Sequence, residues 1–180
     1  MISLHPLTPD DAKEVLRFER ENRAFFERVI PGRGDAYYDL TAVHASIERS
    51  IAARLAGTDF MYVIRDADGE VVGRINLVDT REEPVRTAEL GYRIGARHSG
   101  EGYATRAVGL LLEEAFGLLG MMRLEAVTTP TNVGSQIVLL RNGFAFVART
   151  PRALELNGVW HDNVRFERMA ERHRSGSPLP

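Results

Sequence analysis

The architecture is set out most clearly by residues 97–104, Arg97-His98-Ser99-Gly100-Glu101-Gly102-Tyr103-Ala104, which join a predicted strand to a predicted amphipathic helix. Gly100 and Gly102 let the backbone approach a ligand without a Cβ in the way. The first turn of the following helix offers free N–H groups and the positive end of the helix dipole, which suits a pyrophosphate. Glycines before a helix often form only a turn, and that alternative stays open for this segment taken alone. The spacing is not that of a Rossmann loop, and no Gly-Lys-Ser/Thr follows as a P-loop requires.

Outward from this loop, hydrophobic periodicity predicts a strand, two helices, three strands, a helix, a strand, a helix and two strands. The predicted strands are 2–7, 60–65, 70–78, 87–95, 123–129, 144–156 and 159–169. The predicted helices are 8–23, 40–56, 102–119 and 132–141, and residues 25–39 are expected to form a loop or a broken helix. This order indicates one mixed α/β domain.

The chain has 180 residues, which suits one domain at 1–170 followed by a flexible polar tail at 171–180. A net charge of -2 provides no basic field for nucleic acid, so no direct nucleic-acid partner is expected. The absence of cysteine excludes a disulfide framework, a thiolate nucleophile and a zinc-cysteine site. The histidines show no metal-binding spacing, so no metal is predicted. No apolar run could span a bilayer and the start of the chain lacks a secretory pattern, so we expect a cytoplasmic protein without a membrane partner.

A second motif lies one predicted helix and one predicted strand downstream of the loop. It reads Asn132-Val133-Gly134-Ser135 and opens a helix that closes at Arg141-Asn142-Gly143-Phe144. Asn132 and Ser135 are one helical turn apart, so they share a face and can act on the same ligand. The alternative is that Asn132 is only an N-cap and Ser135 a surface hydroxyl.

Together the two motifs resemble the GNAT superfamily of N-acetyltransferases. Its loop signature, Arg/Gln-x-x-Gly-x-Gly/Ala, is matched by Arg97, Gly100 and Gly102, and its Asn-x-x-Ser helix ends near Gly-Phe, as here. The RimJ/RimL-type branch, which includes enzymes similar to ribosomal-protein-alanine N-acetyltransferases, fits best through residues 21–23, 89–92 and 158–162. The chain departs from the pattern at Leu140, where many relatives have an acid, and at Asn142, where many have an apolar residue.

The resemblance implies a single mixed, mostly antiparallel sheet of about seven strands flanked by about four helices. It implies acetyl-coenzyme A as the cofactor and a primary amine as the acceptor, with a protein N-terminus, such as that of a ribosomal protein, favoured. Two alternatives remain: an acetyltransferase for an aminoglycoside, polyamine or amino acid, and a catalytically silent coenzyme A-binding regulator. The basic segment 28–33 weighs against a polycationic acceptor. A homodimer is common among such proteins.

In this superfamily the base is often a carboxylate on the strand before the phosphate loop, and Glu89 matches that position. Ser135, or a tyrosine nearby, would protonate the departing thiolate, and Asn132 would contact the pantetheine arm. An exposed strand acid is the alternative for Glu89. The implied cofactor-binding residues are Arg93 and Ile94, through backbone N–H groups near the thioester, and Arg97, Gly100, Glu101, Gly102, Tyr103, Ala104 and Asn132.

Four residues are candidates for binding the acceptor. Asn76 lies in the middle of an apolar strand, and a buried amide must find partners, so it either binds substrate or joins the sheet. Phe26 and Tyr38 lie in the segment expected on the acceptor side, and Trp160 lies in the last predicted hairpin. Packing in the core is the alternative for these three aromatic residues.

Overall fold

Seven strands form one sheet in the computed structural model, which describes residues 1–171. Their spatial order is β1-β2-β3-β4-β5-β7-β6, and every neighbouring pair is antiparallel except β4 and β5, which are parallel. The strands are β1 Ser3–Pro6, β2 Phe60–Arg65, β3 Val71–Arg81, β4 Thr87–Ile94, β5 Arg123–Thr128, β6 Ala145–Leu156 and β7 Val159–Met169. The predicted mixed, mostly antiparallel sheet is therefore confirmed. Residues 172–180, which make up nearly all of the predicted tail, lie outside the described residues.

Four α-helices flank the sheet in the described part of the chain, as predicted. They are α1 Ala12–Phe26, α2 Leu40–Ala56, α3 Tyr103–Gly117 and α4 Val133–Arg141. The prediction for α1 was wrong at its end, because the helix continues past Arg23 to Phe26. Phe26 is buried and its ring lies 5.6 Å from that of Phe18, so packing carries the helix one turn further than sequence periodicity indicates. Within residues 1–171, no helix is both long enough and apolar enough to cross a membrane.

Two apolar cores cover the two faces of the sheet. The larger core packs α3, represented by Val108 and Leu111, against Leu77 and Leu90 of the central strands. The smaller core packs α1 and α2 against the opposite face, where Val63 lies. Side chains alternate between faces along a strand, which is why Val63 belongs to one core and its neighbours in β2 to the other. The central strands are therefore buried on both faces.

The middle of the sheet is open where its two parallel strands separate. β4 and β5 pair only between Thr87–Glu89 and Arg123–Glu125. Beyond Glu89, β4 pairs with β3, and the rest of β5 pairs with β7. Past this point β4 pairs only with β3, and β5 pairs only with β7. The resulting gap is an opening through an otherwise continuous sheet.

Candidate active site

The gap between β4 and β5 opens into a cavity of about 340 Å³. Its walls come from both strands, from the start of α4 and from the segment between α1 and α2. Several of the predicted site residues line it together: Asn76, Glu89, Arg93, Asn132 and Ser135. These residues span nearly sixty positions of sequence, so the fold, and not local sequence, brings them to one place.

The backbone of β4 presents N–H groups to the gap. The N–H of Gly95 donates to the carbonyl of Val72 at 2.9 Å and therefore points toward β3. Because N–H groups alternate sides along a strand, that of Arg93 also points toward β3, whereas those of Ile94 and Tyr92 point toward the gap. Of the two predicted backbone donors, Ile94 thus faces the gap and Arg93 does not. N–H groups in this position can donate to a carbonyl oxygen that becomes negatively charged.

Glu89 lies where β4 and β5 last pair, directly opposite Glu125, and its half-buried side chain lines the cavity. Burial, reinforced by the negative charges of Asp79 and Glu125, raises the pKa of the Glu89 carboxyl above its usual value. A carboxylate with a raised pKa is a stronger base than one free in water. Glu89 can therefore accept a proton from a group bound in the cavity.

Tyr92 and Ser135 join β4 to α4 across the cavity. The Tyr92 hydroxyl lies 2.9 Å from Ser135 Oγ and donates to the Ser135 carbonyl at 3.2 Å. Burial raises the pKa of Tyr92 to about 12, although the hydrogen bond from Ser135 opposes this effect. A free thiol has a pKa of about 8.5, so a tyrosine of this kind donates a hydrogen bond to a thiolate and keeps its proton. Sequence analysis did not single out Tyr92, because its partner is distant in sequence and only the fold reveals the contact.

Asn132 is the N-cap of α4. Its Oδ1 accepts a hydrogen bond from the backbone N–H of Ser135 at 3.2 Å, as the capping interpretation predicts. The same side chain lines the cavity, and the cap uses only its oxygen, so the amide N–H groups remain available to a ligand. By fixing the first turn of α4, Asn132 also fixes the position of Ser135.

The loop after β4 has the geometry of an anion-binding site. Gly100 and Gly102 have φ values of +87° and +79°, and a Cβ on either would meet no atom within 4 Å. These glycines are therefore needed for backbone conformation and leave open space above the loop. No side chain caps the first turn of α3 in the described structure, so its N–H groups point outward.

The other predicted cofactor-binding residues of this loop lie between the end of β4 and the first turn of α3. Arg97 is exposed in the middle of a 3₁₀ turn, Ala96–His98. The Ala96 N–H donates a hydrogen bond of 2.8 Å to Asn22 Oδ1, which holds this turn in place. Glu101 accepts a hydrogen bond from Arg106 through its carbonyl, and Tyr103 and Ala104 form the first turn of α3. The arrangement fits the pyrophosphate of a coenzyme.

Asn142, a departure from the usual pattern, connects the two helices beside this loop. Its Nδ2 donates to the carbonyl of Thr105 in α3 at 3.2 Å and to that of Val138 in α4 at 2.9 Å. The buried amide is thus satisfied, and α4 is held against the first turns of α3.

The acceptor side differs from what the sequence suggests. Phe26 is buried under the guanidinium of Arg93, Tyr38 packs beneath Arg23, and Trp160 is exposed. None of these three aromatic residues is among those that line the cavity within residues 1–171. Asn76 does line it, and its buried Oδ1 has no hydrogen-bond partner in the described residues. That oxygen would lie 2.5 Å from a Cβ on Gly91, so the glycine makes room for the amide.

Three arginines, Arg33, Arg74 and Arg93, line the same cavity, and we call them the arginine cluster. Glu19 of α1 is fully buried and accepts hydrogen bonds from Arg74 at 2.7 Å and from Arg93 at 3.1 Å. Burial would raise the pKa of Glu19, but the charges of Arg93 and Arg74 outweigh it and hold the pKa below its usual value. Sequence analysis did not find the cluster, because its members are paired across α1, β3 and β4 and show no periodic signal.

Comparison with known proteins agrees with this geometry. The family model described as "Acetyltransferase (GNAT) domain" matches residues 2–145. A Bacillus subtilis relative, "Probable N-acetyltransferase YjcK", is 32% identical over 163 residues, which cover 90% of each chain.

Solved structures of ribosomal-protein acetyltransferases share the fold. Mycobacterium smegmatis RimJ, solved with a coenzyme A disulfide, is 27% identical with a TM-score of 0.88, covering 96% of this chain and 84% of its own. The ribosomal-protein-S5-alanine acetyltransferase of Vibrio fischeri superposes with a TM-score of 0.89 at 20% identity, covering 93% and 92%. The resemblance to RimJ/RimL-type enzymes is confirmed, and the chain belongs to the GNAT family as an acetyl-CoA-dependent N-acetyltransferase.

Proposed function

We propose that this enzyme acetylates the N-terminal α-amine of a protein and that Glu89 is the base. The observation that carries the proposal is the position of Glu89, whose raised pKa and place in the cavity wall suit it to accept a proton beside the gap. The similarity to Mycobacterium smegmatis RimJ and to the Vibrio fischeri ribosomal-protein-S5-alanine acetyltransferase supports this class of acceptor.

An α-amine matches a base of this strength. Its pKa is about 8, so roughly a tenth is already neutral at pH 7, whereas a lysine side chain with a pKa of about 10.4 is almost fully charged. Only modest assistance is needed to produce the neutral nucleophile. A single carboxylate such as Glu89, acting directly or through one water molecule, supplies that assistance.

The chemical steps follow from the groups around the gap. Glu89 takes a proton from the ammonium, and the freed nitrogen lone pair forms a bond to the thioester carbon. The N–H of Ile94 holds the oxygen as it becomes negatively charged. The carbon–sulfur bond then breaks, and the hydroxyls of Tyr92 and Ser135 stabilise the departing thiolate, which takes up a proton from solvent. The second proton lost by the nitrogen also passes to solvent.

The arginine cluster bears on the rival class of acceptors. Arg33, Arg74 and Arg93 line the cavity, and within residues 1–171 Glu19 is the only carboxylate that forms ion pairs with them. Like charges repel strongly in a partly buried site, so a polyamine or an aminoglycoside would be disfavoured there. An amine that carries fewer positive charges fits the cavity better.

The test is acetyl-CoA turnover, measured as release of free thiol, against two panels of acceptors. One panel contains peptides with varied N-termini, including Ala and Ser, each also prepared with a blocked α-amine. The other contains polyamines, aminoglycosides and amino acids. We expect turnover of peptides that disappears on blocking the amine. Turnover of the small amines alone would refute the protein acceptor, and coenzyme binding without any turnover would indicate a regulator.

A further inference from the structure

The cavity is chemically polarised along one face of the sheet. β3 and β4 pair with Asn76 opposite Gly91 and Arg74 opposite Arg93, and Glu89 lies two residues before Gly91. Residues two apart in a strand share a face and lie about 6.6 Å apart. The order along this face is therefore a carboxylate, then the Asn76 amide, then two guanidinium groups.

The middle of this row is suited to an amine. The Oδ1 of Asn76 is buried, has no partner among residues 1–171 and lies over Gly91, where a Cβ would meet it at 2.5 Å. An unpaired buried oxygen is costly unless a ligand supplies an N–H donor. With Glu89 beside it, this oxygen can accept a hydrogen bond from the nitrogen of an amine.

The far end of the row has an excess of positive charge. Three guanidinium groups face one carboxylate, Glu19, which already accepts a hydrogen bond from Arg74 and another from Arg93. Burial, together with the charges of Arg33 and Arg74, lowers the pKa of Arg93 despite the opposing charge of Glu19. A second anion would relieve this repulsion, because each guanidinium has five N–H donors and uses only some of them on the protein.

We propose that the arginine cluster binds a carboxylate on the side chain of the acceptor's second residue, so that the preferred substrate is an N-terminus followed by Asp or Glu. This inference rests on the proposed N-terminal acetylation. The spacing selects the second residue, because the backbone positions of Arg74 and Arg93 lie about 6.6 Å along the strands from those of Asn76 and Gly91. In a free amino acid, the α-amine and the α-carboxylate are bonded to the same Cα, so the nitrogen and the carboxylate lie within about 3 Å of each other. A side-chain carboxylate one residue on can span the longer distance.

The experiment compares two peptides that differ only at position 2, Ser-Glu and Ser-Gln, with an identical neutral remainder. We expect kcat/KM to favour Ser-Glu by about tenfold, the factor that corresponds to one charge-assisted hydrogen bond. Arg33→Ala should bring this ratio close to one, since Arg33 is exposed and can be removed without disturbing the buried pairs of Glu19. Arg28→Ala is the matched control: Arg28 lies in the same segment, packs on Phe25 and is not among the cavity-lining residues, so the ratio should persist.

The outcomes separate the two proposals. Equal turnover of Ser-Glu and Ser-Gln would overturn the inference and leave N-terminal acetylation standing. Turnover of neither peptide would overturn both. A preference for free serine over serinamide, without discrimination between the peptides, would place the carboxylate on the α-carbon and refute the spacing argument. A preference for Ser-Glu that survives Arg33→Ala and disappears in Arg28→Ala would overturn the inference, because Arg28 lies outside the arginine cluster.

Discussion

Replacement of Gly102 by alanine tests the assignment of the phosphate loop with a defined magnitude. Gly102 has a φ of +79°, and its missing Cβ would meet nothing within 4 Å, so the substitution creates strain in the backbone and no clash. The left-handed conformation costs a residue with a Cβ about 1–2 kcal/mol. Because no packing holds this exposed residue in place, the loop of the variant without coenzyme adopts another conformation and avoids the strain. Coenzyme binding must restore the left-handed conformation, so the strain energy reduces the binding free energy.

The expected loss of affinity follows directly. An energy of about 1–2 kcal/mol corresponds to coenzyme A binding that is about 5- to 30-fold weaker, measurable by isothermal titration calorimetry. Gly117→Ala in the same helix is the control: Gly117 has no positive φ, and its Cβ would also meet nothing. Gly117→Ala should leave the affinity for coenzyme A unchanged, and it can stabilise α3 by up to about 1 kcal/mol. Equal coenzyme affinity in the two variants would refute the reasoning.

Three further predictions concern the catalytic groups and the buried ion pairs. Glu89→Gln should lower kcat by about a hundredfold or more and remove the loss of activity of the wild type at low pH, because only the ionised carboxyl, whose pKa is raised, accepts a proton. Tyr92→Phe should lower kcat about tenfold to a hundredfold in steady-state assays, the effect of losing one hydrogen bond to a charged sulfur. Glu19→Gln should lower the free energy of unfolding by about 3–5 kcal/mol in urea titrations, because it breaks buried pairs with Arg74 and Arg93. The lowered pKa of Glu19 means that this stabilisation is present above the ordinary carboxyl value of 4.5 and is lost as pH falls through the lower folded-state pKa.

Two of these predictions have a matched control variant within the chain. Tyr62 is also buried with a pKa raised to about 12, yet its hydroxyl donates to Glu114, outside the cavity lining, so Tyr62→Phe should spare kcat. An equal loss in both tyrosine variants would remove the thiolate role. For Glu19 the control is Glu70→Gln, which breaks an exposed pair with Arg17 and should cost at most about 1 kcal/mol. A kcat for Glu89→Gln equal to that of the wild type would exclude Glu89 as the base.

The fold could be predicted from sequence because its signals are local. The alternation in the strands, the turn residues and the glycines of the loop each act within a few positions, and the structure confirms the resulting order of elements. Motifs and strand positions predicted five residues that the structure places in the cavity wall: Asn76, Glu89, Arg93, Asn132 and Ser135. Tyr92 and Arg74 escaped notice because their roles depend on partners from other elements, Ser135 and Glu19, and no periodicity reports such contacts.

The three aromatic candidates do not line the cavity in the described residues, and Phe26 shows why. Phe26 looked like part of an acceptor loop because it stands beside Pro- and Gly-rich sequence, but it is buried at the end of a longer α1. Propensity alone ends the helix near Arg23, and tertiary packing extends it. The exposed segment that follows contributes Pro31 and Arg33 to the cavity wall.

That segment, residues 27–39, is attached firmly at both ends and loosely between them. Phe26 is buried before it, Arg20 holds the carbonyl of Tyr38 at 2.6 Å, and Asp39 caps α2, while the residues around Gly32 and Gly34 are exposed. The exposed middle of the segment can therefore change in sequence without altering β3 and β4. Of the residues that line the cavity, Val29, Ile30, Pro31 and Arg33 can thus vary independently of those carried by β3 and β4.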